Sequence, residues 1–315
     1  MSVYTVVARA ELEAFLGGYA LGELRDYAGI EAGIENTNYF VTTSHGEYVL
    51  TLFEVTPVED LDFCLALMAH LADAGIPSAH PLADRDARYL GVLCGKPAAL
   101  VQRLPGRSVS RPGIDHCRAI GAAMAHMHLA GASFKRARAA ERGRRWRETV
   151  FARLRPVVGG AERALLDAVA GDAELAERRD LPNAVIHADL FHDNALFVDT
   201  RLTGIIDFYY AHTGALVYDL AVTVADWCFD AGSFDVIRAR AVLQAYTAVR
   251  PVTAAEQAAW PAAMRAAGTR FWLSRLHDQC FPRAGALTHI KDPAPFRAVV
   301  EFALDHPRLL ADAWD

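Results

Sequence analysis

Residues 184–210, AVIHADLFHDNALFVDTRLTGIIDFYY, decide the fold. Two short apolar runs, Ala184–Ile186 and Ala195–Val198, flank the polar segment His187-Ala188-Asp189-Leu190-Phe191-His192-Asp193-Asn194. A third run, Thr203–Ile206, ends on Asp207-Phe208. Short β-branched runs broken by polar turns read as buried strands. Asp189, Asn194 and Asp207 therefore fall where strands give way to loops.

Three such groups in this order suit phosphoryl transfer. That reaction needs a carboxylate to orient or accept a hydroxyl proton, and hard oxygen ligands for Mg²⁺ on the phosphates. Asp189 fits the first role, and Asn194 with Asp207 fits the second. Each residue alone reads equally well as a turn residue. The spacing Asp-x-x-x-x-Asn followed by Asp-Phe favours the catalytic reading.

These motifs carry a resemblance. HADLFHDN with IIDFYYA is similar to the aminoglycoside-phosphotransferase-like group of small-molecule kinases. GIENTNYFVTT, EYVLTLFE, AAMAHMHLAGA, VIHADLFHDNALF, LTGIIDFYYA, VYDLAVTVADWC and RFWLSRLHD extend it from residue 33 to residue 278, where the chain resembles the bacterial homoserine kinases of that type. The resemblance implies a two-lobe, protein-kinase-like α+β fold. Residues 1–104 would be an antiparallel N-lobe covering the nucleotide, and residues 105–315 a mainly helical C-lobe. It implies ATP and Mg²⁺ as cofactors and L-homoserine as acceptor, a step of threonine synthesis. Within it His187 supports the catalytic loop and the aspartate at 219 braces it. Choline, ethanolamine or an aminoglycoside are alternative acceptors. A nucleotide-binding pseudokinase is the alternative of another class.

Outward from the core stretch, composition sets bounds. Just over half of the 315 residues are apolar and 22% are charged, as in ordinary globular proteins. A net charge of −6 argues against general nucleic-acid or membrane-surface binding. The five cysteines, Cys64, Cys94, Cys117, Cys228 and Cys280, contain no CxxC pair. They read as reduced thiols of a cytoplasmic protein. The opening residues lack a signal-peptide pattern, and no apolar run reaches membrane-spanning length.

In chain order, Glu11–Tyr19 reads as a short helix and Leu24–Ala32 as a strand. Strands Tyr39–Thr43 and Tyr48–Phe53 flank a turn at Ser44–Glu47. The resemblance puts residues 33–38 in place of a glycine-rich loop over the phosphates, with Gly33, Asn36, Thr37 and Asn38 as contacts. Thr51 stands where most kinases carry a phosphate-binding lysine; the next lysines are Lys96 and Lys135. Pro57–Gly75 is a strong helix with Leu61, Leu65, Met68 and Leu71 on one face. Tyr89–Cys94 and Ala98–Leu104 read as a second hairpin, and by analogy 101–104, with Gln102 and Leu104, would meet adenine.

Pro112–Ala130 reads as a helix in which His126 and His128 face different sides. Lys135–Arg147 holds seven basic residues and one acidic one, and reads as a solvated, mobile connection. Helices follow at 146–158, 161–176, 215–230, 234–249 and 254–280, with a capping helix and tail after Lys291. In the last long helix, Arg275 and Asp278 suit the carboxylate and ammonium of an amino acid, with Arg270 as competing cation. A surface ion pair between Arg275 and Asp278 reads nearly as well.

Overall fold

The computed structural model describes residues 4–30, 36–171, 175, 178–282 and 290–314. The expected phosphate contact Gly33 lies outside them. The chain divides between Pro105 and Gly106 into two compact units.

The first unit is built on a five-stranded antiparallel sheet of order β1-β2-β3-β5-β4. Its strands are β1 (Leu24–Ile30), β2 (Thr37–Thr43), β3 (Glu47–Leu52), β4 (Gly91–Leu93) and β5 (Lys96–Gln102). Side chains alternate along β2: Thr37, Tyr39, Val41 and Thr43 are buried, while Asn38, Phe40 and Thr42 are half-buried. Helix α1 (Arg9–Leu16) contributes Leu12 and Leu16 to a core with Tyr39, Val41, Leu50, Leu52 and Leu100. Helix α2 (Val58–Asp73) buries the expected face of Leu61, Leu65, Met68 and Leu71.

The second unit is mainly helical. Helix α3 (Ile114–Gly131) packs along the helix Val236–Val249, in chain order α7. Gly121 allows that close approach, because a Cβ there would sit 2.3 Å from the carbonyl oxygen of Val242. Helices α4 (Arg144–Leu154) and α5 (Gly160–Val169) precede a short β segment. There β6 (Asn183–Ile186) pairs with β9 (His212–Ala215), and β7 (Ala195–Val198) pairs with β8 (Arg201–Ile205). Helix α6 (Leu216–Trp227) follows, and the hairpin β10 (Phe229–Asp230) with β11 (Ser233–Phe234) leads into α7.

The long helix α8 (Ala254–Cys280) has the bounds expected from the sequence and touches α4, α6, α9 (Ala294–Asp305) and α10 (Pro307–Ala311). Thr253 caps it: its Oγ accepts from the Glu256 N–H at 3.2 Å, and the Glu256 carboxylate accepts from the Thr253 N–H at 2.9 Å. All five cysteines are free. Among the described residues no helix is long and apolar enough to cross a membrane.

Candidate active site

The segment 187–194 joins β6 to β7, and helix α6 pins it from one side. Asp219, Thr223, Asp226 and Trp227 recur at helical spacing, so they share one face. Asp219 Oδ2 accepts from the His187 N–H at 2.8 Å, and Oδ1 from the Ala188 N–H at 2.6 Å. Trp227 Nε1 and Thr223 Oγ both donate to the Leu190 carbonyl. Asp226 Oδ2 accepts from the His192 N–H and pairs with His192 Nδ1 at 2.7 Å. The rings of Phe191, Phe271 and Phe296 pack against one another in a triangle.

This bracing holds an unfavourable backbone. Ala188 has φ +63° and Asp207 has φ +67°, a region that residues with a Cβ seldom adopt. Two consecutive charge-assisted hydrogen bonds to Asp219 offset the cost at Ala188.

Asp219 is itself held from behind. His128 Nε2 lies 2.9 Å from its Oδ2, and His128 Nδ1 lies 2.7 Å from the Tyr246 hydroxyl. Arg250 donates to that hydroxyl at 3.1 Å and to Glu256 at 2.9 Å. One proton placement satisfies every group: Arg250 donates to Tyr246, Tyr246 to His128 Nδ1, and His128 Nε2–H to Asp219. Burial alone would push the Asp219 carboxyl up, but the hydrogen bonds from His128 and the His187 N–H hold it below the usual range.

Asp189 sits on the same loop under different conditions. Burial dominates and pushes its pKa up to about 8; Arg270 opposes the rise and Asp207 adds to it. Arg270 Nη1 lies 3.7 Å from Asp189 Oδ1, and its guanidinium stacks over Tyr210 and Phe271. Asn194 Nδ2 donates to the Asp189 carbonyl at 2.8 Å. That bond uses the amide N–H₂; the Asn194 amide oxygen and the Asp207 carboxylate are oxygen donors of the type Mg²⁺ takes. Such a sparse set fits Mg²⁺, which keeps several of its waters. Burial lowers the pKa of His187, whose Nε2 meets the Ile206 carbonyl and whose Nδ1 meets the Asp189 N–H. It therefore ties the loop to the strand before Asp207, and its place is structural.

The remaining expected residues separate. Arg275 Nη1 donates to the Asp292 carbonyl, and its guanidinium lies over Phe296, while Asp278 is more than half exposed beside His277. The alternative, a surface ion pair between Arg275 and Asp278, is not formed among the ion pairs of the described residues. The run 135–147 is not simply a solvated connection. The Arg138 side chain is buried and donates to the carbonyls of Tyr209 and Ala211, and Arg142 donates to Ser274 Oγ and the Tyr210 hydroxyl. Charge density in a sequence does not show which side chains turn inward, and here their partners lie some seventy or more residues away.

The first unit spends its candidate contacts on itself. Thr51 Oγ donates to Asn38 Oδ1 at 2.7 Å across the β2–β3 pair. Thr37 is fully buried; its Oγ donates to Glu54 and accepts from the N–H groups of Tyr4 and Thr5. Asn36 has a buried Oδ1 with no hydrogen-bond partner among the described residues. The Gln102 N–H goes to the His80 carbonyl, and Leu104 is half-buried. Lys96, which the sequence placed away from the site, pairs with Glu54.

A model of a phosphotransferase enzyme family matches residues 26–252. The chain is 49% identical over 315 residues to a homoserine kinase of Methylobacillus flagellatus, covering 100% of this chain and 99% of that protein. It is 47% identical over 300 residues to a homoserine kinase of Pseudomonas aeruginosa, covering 94% of each. Among solved structures, an amicoumacin kinase superposes with a TM-score of 0.70 at 15% identity, covering 95% of this chain and 94% of that one. A choline kinase from Cryptosporidium parvum does so with a TM-score of 0.68 at 13% identity, covering 97% of each. The fold is thus the two-lobe, protein-kinase-like α+β architecture.

Proposed function

The chain belongs to the phosphotransferase enzyme family, and we propose that it is a homoserine kinase, moving the γ-phosphoryl group of ATP onto the side-chain hydroxyl of L-homoserine. The observation that carries this reading is the near-half identity, from end to end, with homoserine kinases. Asp189, Asn194 and Asp207 stand in the order the chemistry requires.

In this mechanism Asp189 orients the acceptor hydroxyl. It takes the proton as the new O–P bond forms and the bond from the γ-phosphorus to the β-bridging oxygen breaks, leaving ADP and O-phospho-L-homoserine. Arg270 beside Asp189 favours its ionised form, the state that accepts a proton. Asn194 and Asp207 would hold Mg²⁺, which supplies charge neutralisation on the phosphates when bound. Catalysis is then mainly positioning, and the braced loop from His187 to Asn194 provides it. Of the other expected contacts, Asp278 is assigned to the substrate ammonium. By resemblance Asn36 and Asn38, the latter positioned by the Thr51 hydroxyl, go to the nucleotide side, and Gln102 and Leu104 to adenine.

The test is ADP release with ATP and Mg²⁺ against L-homoserine, L-serine, L-threonine, choline and kanamycin. Turnover confined to homoserine, lost in Asp189→Asn and on chelation, is the expected result. Turnover on choline or kanamycin in its place would overturn the acceptor and keep the reaction class.

A further inference from the structure

The acceptor's carboxylate still needs a cation, and the second unit offers a better one than Arg275. A cavity of about 370 Å³ opens beside the C-terminal half of α8, lined by Arg142, Trp146, Arg153, Ser274, Asp278 and Phe281 among others. Ser274 follows Arg270 by one helical turn and Asp278 follows by two, so the three share a face with the cavity at its far end. Tyr210 joins the two ends. Its ring has the Arg142 guanidinium 5.1 Å from the centroid and that of Arg270 at 4.9 Å. The two guanidinium carbons can therefore be no more than about 10 Å apart. Arg270 in turn lies 3.7 Å from Asp189.

We propose that Arg142 binds the carboxylate of the amino-acid acceptor, making the Arg142–Tyr210–Ser274 cluster the subsite that tells an amino acid from a plain amino alcohol. The inference rests on the homoserine reading above. An extended homoserine spans about 5 Å from its hydroxyl oxygen to its carboxyl carbon, by ordinary bond lengths. In the proposed pose the hydroxyl sits at Asp189 and the carboxylate points toward Arg142. Arg142 is half-buried, so a ligand reaches it, and Tyr210 and Ser274 fix its planar fork. A fork held in place loses little freedom on meeting a carboxylate. Asp278 lines the same cavity and supplies the opposite charge for the ammonium. Arg275 does not line this cavity; it donates to the Asp292 carbonyl and lies over the Phe296 ring.

The experiment compares wild type, Arg142→Gln, Arg142→Lys and Arg275→Gln on two acceptors. One is L-homoserine and the other is 3-aminopropan-1-ol, which is homoserine without its carboxylate. The preference for homoserine, as a ratio of kcat/KM values, should fall about 10- to 100-fold in Arg142→Gln. It should fall less in Arg142→Lys and stay put in Arg275→Gln. Calorimetry with L-2-aminobutyrate, which keeps the carboxylate and lacks the hydroxyl, gives a readout independent of turnover. Its affinity should drop by a similar factor in Arg142→Gln. An unchanged preference ratio with unchanged L-2-aminobutyrate affinity overturns the proposal. So does a loss that follows Arg275→Gln instead. If wild type fails on homoserine while phosphorylating other alcohols, the homoserine reading itself has failed, and that is seen before any variant is made.

Discussion

Asp219 and Asp189 are carboxylates of the same unit, both withdrawn from water and both tied to the loop 187–194, yet their protons are held in opposite ways. Asp219 receives two backbone N–H groups and an imidazole and stays ionised. Asp189 has one guanidinium at 3.7 Å and a neighbouring carboxylate, and burial raises its pKa to about 8. The same side chain is held ionised where donors saturate it, and is pushed toward its protonated form where they do not. The difference lies in the shell of donors, which the backbone of residues 187 and 188 and His128 of α3 supply to one residue and not to the other.

Removing each charge in turn should break the two apart. Asp219→Asn places an N–H₂ against donors, so it should cost about 3 kcal/mol of stability and reduce kcat about 1,000-fold or more. Chemical denaturation and steady-state kinetics read both losses. Asp189→Asn should also reduce kcat about 1,000-fold, while its melting temperature holds or rises, because a carboxyl disfavoured by burial is gone. A fall in melting temperature on Asp189→Asn equal to that on Asp219→Asn would dissolve the contrast.

The two residues should also tilt the pH dependence of stability in opposite senses. For Asp189 the folded pKa lies above the unfolded one. Its contribution is full below the unfolded value of 3.8 and is lost as pH rises through about 8. For Asp219 the folded pKa is depressed, so its contribution is present above the unfolded value and lost as pH falls through the folded one. Urea denaturation across pH should therefore show a decline between about 4 and 8 that Asp189→Asn flattens. In kinetics, the acid limb of kcat/KM should move to higher pH in Arg270→Gln, which removes the nearest cation.

The smallest effect sharpens the comparison from behind. Tyr246→Phe leaves His128 Nδ1 without its donor while every contact to the loop stays in place. It should cost about 1–2 kcal/mol and lower kcat about 10-fold, with the KM for homoserine unchanged. An equal rise in KM would assign Tyr246 to substrate binding instead.

Much of this site was legible before any coordinates. The placing of Asp189, Asn194 and Asp207 at strand ends is legible because strand, turn and strand leave a local signature, and the helix 254–280 because its cap and its periodic face are also local. Asp219 entered only through resemblance, since nothing in its own neighbourhood of the sequence marks an acceptor for the N–H groups of residues 187 and 188. Arg138 and Arg142 were lost in a basic run, because inward and outward arginines have the same composition. The strand His212–Ala215 went unread for a similar reason: its partner is 183–186, and the pairing, not the local residue pattern, makes it a strand. The resemblance places Thr37 at the phosphates, yet strand alternation turns its hydroxyl to Glu54 and the backbone of residues 4 and 5. Signals within about one helical turn were readable; those that depend on distant closure were not.

The line of groups from Glu256 to the loop can be counted as states. Each hydroxyl or imidazole along it has two ways to place its proton, but a guanidinium can only donate and a carboxylate can only accept. With Arg250 at one end and Asp219 at the other, every intermediate choice is forced, so the chain has a single arrangement where an all-neutral one would have two of opposite sense. The loop that carries Asp189 thus faces a neighbour with no orientational entropy left to lose, and what the substrate meets has already been decided at the far end of another helix.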